Sequence, residues 1–223
     1  MSTVAIIQAR LNSSRFPGKV LVELAGKPLL QHALDRLRQA KRVDRIVVAT
    51  CYPGGGAIAG HCEDWDVECY IDSGPENDVL GRFNVVANKW EADLIVRVCG
   101  DNPLIWPEGI DRLVAAINDE PRWKRHYDYA AYQYSKDRPA ILKPNGYFGE
   151  LMTAEALSRA ARECAPGDPD REHVTKYIYQ NPHRFSCRWL RVPKWYRDAG
   201  SPHHAVDTPE DLDEIRDLME ATT

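Results

Sequence analysis

Three cations and a glycine crowd one short stretch near the amino terminus, ARLNSSRFPGKVL, which carries Arg10, Arg15, Gly18 and Lys19. Like charges on a loop repel one another unless an anion sits among them. Pro17-Gly18 gives a tight turn there, and the backbone amides with the three cationic side chains supply donors for phosphate oxygens. This is not a Walker A loop, which would need glycine at 13 and Ser or Thr at 20, where the chain has Ser13 and Val20. Two acids stand far away in sequence: Asp101 in GDNPLI and Asp207 in HHAVDTPED. Mg²⁺ in phosphoryl sites is held by one or two carboxylates, with substrate phosphates and water completing its octahedron. Spacing alone does not separate a magnesium ligand at Asp101 from an Asx turn into Pro103, or Asp207 from a turn residue before a helix. The cationic stretch read alone has a bland reading as a solvated loop, but three cations at one strand end favour an anion site. Only convergence of the three segments would decide. A competing motif, GGGAIA at 54–59 with Asp72 after it, satisfies the dinucleotide pattern G-x-G-x-x-A. The short helix after it, its place behind the second strand and the Tyr52-Pro53 insertion favour a plain glycine loop.

The elements that must carry these residues alternate in type. TVAIIQA, DRIVVATC, VECYID and DLIVRVCGD are short apolar runs of the kind buried on both sheet faces. Between them, KPLLQHALDRLRQA places Leu29, Leu30, Ala33, Leu34 and Leu37 at helical spacing, AIAGHCEDW predicts a short helix, and DVLGRFNVVANKWEA is apolar at 79, 80, 83, 86, 87 and 90. A further helix opens at Pro107 and runs to about Ile117. Strands separated by helices predict an α/β fold with a mostly parallel sheet, covered on both faces. In such sheets ligands bind beyond the carboxyl ends of the strands, where all three polar clusters fall. YDYAAYQYS and GYFGELM predict an antiparallel edge or flap over about 127–152. Helices return at TAEALSRAARE and DREHVTKYIYQN, and a strand follows at FSCRWLRVP. A last helix begins at TPEDLDEIRDLME, where Thr208 is a good N-cap and Glu210 and Asp211 suit the positive helix end.

At 223 residues and 43% apolar composition, the chain reads as a single domain over 1–223. A formal net charge of −4 argues against a general nucleic-acid surface. No apolar run approaches the roughly 20 residues that span a bilayer, and Met1-Ser2-Thr3 leads straight into a strand without a signal-peptide pattern, so a cytoplasmic protein with no membrane partner is expected. Six cysteines without a CxxC pair read as free thiols in a reducing compartment.

The cationic stretch resembles the A-R-x-x-S-[ST]-R-[LF]-P-G-K-x-L signature of the cytidylyltransferases that activate sugar acids. These include the CMP-Kdo and acylneuraminate synthetases and, nearest in motif, the spore-coat polysaccharide synthesis group. GDNPLI, REHVTKYIYQNPHRF and AVDTPEDLDEI are similar to later motifs of that group, in the same order, so the resemblance spans nearly the whole chain. It implies a three-layer α/β/α nucleotidyltransferase fold using CTP and Mg²⁺. By matched positions, Arg10, Arg15, Gly18 and Lys19 would hold the triphosphate, and Gln8, Ala9, Thr50, Ser73 and Gly74 would lie near cytosine and ribose. Asp101 and Asp207 would hold the metal, and Asn102, Glu150, His173 and Tyr177 would face the acceptor, the last two as an i, i+4 pair on one helix. Two departures fall on the acceptor side: PNGYFGELM keeps Glu150 but has Phe148-Gly149 before it, and His203-His204 stands where an arginine is common. The expectation is intact CTP chemistry with an altered acceptor, a sugar acid by default and a compact phosphonate second. A homodimer is implied by analogy, through the 127–152 segment where Tyr127, Tyr129, Tyr132 and Tyr134 alternate and leave one face apolar. An NAD-binding oxidoreductase built on GGGAIA and a CTP-binding module without catalysis are the competing classes.

Overall fold

A computed structural model describes residues 1–119, 126–135, 138–143, 145–200 and 202–221. The apolar run after Ser2 forms β1 (Thr3–Gln8), whose side chains alternate between two cores: Ala5 and Ile7 on one face of the sheet, Val4 and Ile6 on the other. That double burial is why the run lacks a polar alternation. The remaining strands are β2 (Glu23–Leu24), β3 (Lys27–Pro28), β4 (Arg45–Cys51), β5 (Glu68–Asp72), β6 (Leu94–Cys99), β7 (Tyr129–Ser135), β8 (Arg138–Pro139), β9 (Glu150–Thr153) and β10 (Cys187–Arg191). The main sheet runs β10-β7-β9-β6-β1-β4-β5, with β8 paired to β7; β2 and β3 form a separate small hairpin. β1, β4, β5 and β6 are parallel, β9 is antiparallel to both β6 and β7, and β10 is parallel to β7.

Helices cover both faces. On the first lie α1 (Leu29–Leu37), α2 (Gly55–Asp64) and α4 (Pro107–Asn118), contributing Leu30, Leu34, Ile58, Ile110 and Leu113 to the core. On the second lie α3 (Val79–Lys89) and α5 (Ala154–Glu163), contributing Leu80, Phe83, Val86 and Leu157. Three shorter or peripheral helices follow: α6 (Lys176–Gln180), α7 (Lys194–Asp198) and α8 (Pro209–Glu220). The fold is α/β in three layers with a mostly parallel mixed sheet. Among the described residues no helix is long and apolar enough to cross a membrane.

Three expectations need correction. The helix anticipated over 170–181 is broken: a 3₁₀ segment spans Pro169–His173, Val174 takes φ 49°, and α6 begins only at Lys176. The 127–152 segment is an edge only at β8, which pairs antiparallel with β7 off the main strand path; β7 and β9 lie inside the sheet. Nor does β7 keep a free apolar face for a second copy. Tyr129 and Tyr132 are both buried, in opposite cores. Residues 136, 137 and 144 of that segment lie outside the described residues. The six cysteines are all free thiols.

Candidate active site

The cationic stretch leaves the carboxyl end of β1 and folds back on itself. Gly18 takes φ 73°, a left-handed turn that a side chain would strain, and its amide donates to the Leu11 carbonyl at 2.7 Å. A 3₁₀ turn over Lys19–Leu21 then buries Val20 and turns the Lys19 side chain inward, leaving it 7% exposed.

What receives the Lys19 ammonium is a pair of segments tied together by backbone. The amide of Val206 donates to the carbonyl of Asp101 at 2.9 Å, which brings the turn after β6 against the approach to α8. Thr208 caps α8 through a capping box with Asp211, whose carboxylate also accepts the amide of Asp207 at 2.9 Å. Burial works against the Asp211 carboxylate, but these backbone donors hold its pKa below the ordinary value. Asp101 and Asp207 are thereby fixed on either side of Lys19. Its Nζ donates to Asp101 Oδ2 at 2.6 Å, Asp207 Oδ1 at 3.0 Å and the Val206 carbonyl at 2.7 Å. Burial disfavours the ammonium, yet the two carboxylates outweigh it and raise the Lys19 pKa. Arg15 reaches the same Asp207 Oδ1 at 2.9 Å.

Around this knot opens a cavity of about 350 Å³, lined by Gln8, Ala9, Arg10, Arg15, Lys19, Asp101, His173 and Asp207 among others. Two cations unread from the sequence line it as well, Arg82 of α3 and Arg97 of β6. Arg10 is held at the rim by Glu76 and Glu172, at 3.3 and 3.0 Å. Half-exposed pairs of this kind contribute little and exchange readily for a phosphate. A second cavity, about 550 Å³, shares Arg15, Arg97, Cys99, Asp101, His173 and Asp207 with the first. It continues over the 138–149 segment, where Ile141, Lys143, Asn145 and Phe148 face it together with Asn102, Lys176 and Tyr179. Cys99 lies on the shared floor, and burial pushes its thiol up to about 11, so it stays protonated at neutral pH.

The expected residues therefore divide. Gln8, Ala9, Arg10, Arg15, Lys19, Asp101, His173 and Asp207 come together at one cavity, and Asn102 joins at the other. Thr50, Ser73 and Gly74 line neither cavity; Thr50 is fully buried and its Oγ1 has no hydrogen-bond partner among the described residues. Tyr177 packs against Phe185 instead of facing the cleft, because the break at Val174 takes it off the line of His173. Glu150 is 1% exposed, faces three buried donors and lines neither cavity. None of residues 54–59 lines either cavity.

A family model described as cytidylyltransferase matches residues 4–222. The chain belongs to the cytidylyltransferase family. It is 33% identical over 221 residues to the spore coat polysaccharide biosynthesis protein SpsF of Bacillus subtilis, an alignment covering 96% of this chain and 85% of that one. It is 39% identical to a 3-deoxy-manno-octulosonate cytidylyltransferase of Trichlorobacter lovleyi, covering 98% and 99% of the two chains. A cytidylyltransferase structure from Leptospira borgpetersenii superposes with a TM-score of 0.85 at 23% identity, covering 99% of this chain and 87% of that chain. For this cytidylyltransferase the two departures gain a physical reading. Phe148 lines the second cavity, while packing disfavours a side chain at Gly149, whose Cβ would stand 2.6 Å from Ile110 Cδ1 and 3.1 Å from the Arg97 carbonyl oxygen. His204 is buried against Tyr147, at 4.9 Å between ring centroids, and its Nδ1 has no partner among the described residues.

Burial, with the neighbouring His203, lowers the His204 pKa below its ordinary value, so the folded chain holds the ring neutral. The unfolded chain takes up a proton near pH 6.5 that the folded chain resists. This contribution to stability is therefore complete above pH 6.5 and lost as pH falls through the lower folded value. The urea midpoint is expected to fall between pH 7.5 and 5.5, and His204→Gln to flatten part of that slope.

Proposed function

We propose that this enzyme transfers CMP from CTP to an oxygen of a sugar acid, releases pyrophosphate, and uses Mg²⁺ to do so. The observation that carries the reading is the meeting of Asp101 and Asp207 on Lys19, at the junction of two connected cavities. The donor set fits a hard divalent cation, with two carboxylates fixed within hydrogen-bond reach of one nitrogen. Among the described residues no third acid, histidine or cysteine completes a cage, which leaves the remaining positions to phosphate oxygens and water. When bound, such an ion would neutralise charge on the phosphates as pyrophosphate departs.

The chain's own residues do the rest. Lys19, a compact point charge, suits the departing phosphates, while Arg10 and Arg15 can each grip two oxygens. Arg82 adds a buried cation on the same wall. These charges are in place before reaction, so stabilising the developing charge needs little reorganisation. The acceptor oxygen forms a bond to the α-phosphorus, and the bond to the bridging oxygen breaks, its electron pair leaving with pyrophosphate. Holding the acceptor in the second cavity makes the encounter effectively unimolecular. No covalent enzyme intermediate is required.

A panel of acceptors with CTP and Mg²⁺, followed by pyrophosphate release, tests the reading. Release is expected with at least one sugar acid, such as 3-deoxy-manno-octulosonate or an acylneuraminate. Turnover confined to phosphonates would move the acceptor class. CTP binding without release for any acceptor would mark a binding module, and a rise in melting temperature with NAD but not with CTP and Mg²⁺ would overturn the assignment.

A further inference from the structure

We propose that Arg97 grips the anionic group of the acceptor beside its attacking oxygen, and that Glu150 is the residue that positions Arg97; this rests on the transferase reading above. Arg97 lies in the middle of an apolar strand, 7% exposed, directly across the ladder from Glu150. Its Nε donates to Gln8 Oε1 at 3.2 Å and its Nη1 to Glu150 Oε2. Among the described residues Nη2 has no hydrogen-bond partner, and the side chain lines both cavities. Nε and Nη1 are thus spent on orientation, and Nη2 is left for the cleft.

Burying such a pair is a poor route to stability, since a well-packed apolar pair is often as good or better. The cost makes sense if the arginine is used. Its place decides for what. The triphosphate cations Arg10, Arg15 and Lys19 stand on the loop after β1, whereas Arg97 stands on β6 between Gln8 of β1 and Glu150 of β9 and lines both cavities, at the junction where acceptor and nucleotide would meet. A permanently charged guanidinium with Nη2 uncommitted there suits an oxygen of a carboxylate, or of a phosphonate, held next to the attacking oxygen.

Glu150 has a second role in the same arrangement. Its Oε1 accepts the Tyr129 hydroxyl and, at 2.7 Å, the Thr175 hydroxyl. Thr175 follows Val174, a β-branched residue at φ 49° and ψ −60°, in a turn where the Thr175 amide donates to the His173 carbonyl. That backbone is strained and persists only where its surroundings hold it. Full burial of Val174 and the bond from Thr175 to Glu150 hold it here. The turn aims His173 into the cleft, where it lines both cavities. A single buried carboxylate therefore sets Arg97 from below and His173 from the side.

The test measures CTP affinity by calorimetry with Mg²⁺, and acceptor KM and kcat by pyrophosphate release. The acceptor probes are 3-deoxy-manno-octulosonate and a hydroxyalkylphosphonate, whose separate responses tell which oxyanion is read. Arg97→Lys keeps a charge and loses the oriented Nη2 donor, so acceptor KM is expected to rise roughly tenfold to a hundredfold while the Kd for CTP rises by a clearly smaller factor. Glu150→Gln should raise acceptor KM in the same direction by a smaller factor, again with the lesser effect on CTP. If Glu150→Gln fails to fold, Arg97→Lys alone decides. An unchanged acceptor KM, or CTP binding weakened as much as acceptor binding, would overturn the assignment. So would a wild-type enzyme that binds CTP but neither probe, in turnover or in calorimetry. A wild-type protein that bound no CTP would instead sink the transferase reading and this inference with it.

Discussion

Asp101→Ala is expected to keep its fold and lose turnover by about 10³-fold or more, the loss of several kcal/mol of charge stabilisation at a metal-dependent step. On the proposed reading the carboxylate holds the metal, and it has little other role in the fold. Its side chain is 23% exposed and bonds the Lys19 ammonium, and Lys19 keeps Asp207 and the Val206 carbonyl when it is gone. The fold depends on Asp101 mainly through its backbone carbonyl, which accepts from Val206 and is untouched by the substitution. The cost to stability is accordingly about 1–3 kcal/mol, that of one charged hydrogen bond. Thermal unfolding monitored by circular dichroism beside the pyrophosphate assay separates the two effects. A variant already unfolded at room temperature would make Asp101 structural, and one turning over at wild-type rate would remove it from the metal.

Lys19→Ala should lower kcat/KM by roughly 10²–10³, the usual cost of deleting one preorganised charge partner. It carries a second signature that a merely structural lysine would lack. Without the ammonium, Asp101 and Asp207 face each other, and among the described residues Arg15, 65% exposed, is the ion-pair partner that stays with Asp207. Mutual repulsion then makes a divalent cation welcome even without nucleotide. Titration with Mn²⁺ is expected to show tighter metal binding in Lys19→Ala than in the wild type when CTP is absent. Near wild-type activity, or metal affinity unchanged, would contradict the arrangement.

The parts of this enzyme that were legible in its sequence are those governed by local pattern. Val4–Ile7 alternates between two cores as a doubly buried strand must, and Leu29, Leu30, Ala33, Leu34 and Leu37 form one buried stripe of α1 as their spacing indicates. Thr208 caps its helix as its type suggests. The meeting of Asp101 with Asp207 was not legible from spacing, because it depends on one long-range backbone bond from Val206. Arg97 escaped notice inside LIVRVC, although an arginine within a buried apolar run demands a carboxylate partner, and that demand was a usable signal. Arg82 hid in the same way: it sits on the buried side of α3, where the apolar periodicity drew attention to its neighbours. Tyr177 was misplaced for a different reason. Positive φ at a β-branched residue has no signature in sequence, so nothing in REHVTKYIY announces the break at Val174.

The central claim is that the loop bearing Lys19 and the two aspartates close around one magnesium-bound CTP. The most direct measurement is a crystal structure of the protein grown with CTP and magnesium. The triphosphate is expected against Arg10, Arg15 and Lys19, with Asp101 and Asp207 holding the ion. Nucleotide bound elsewhere, with Lys19 still clamped between both carboxylates, would contradict it.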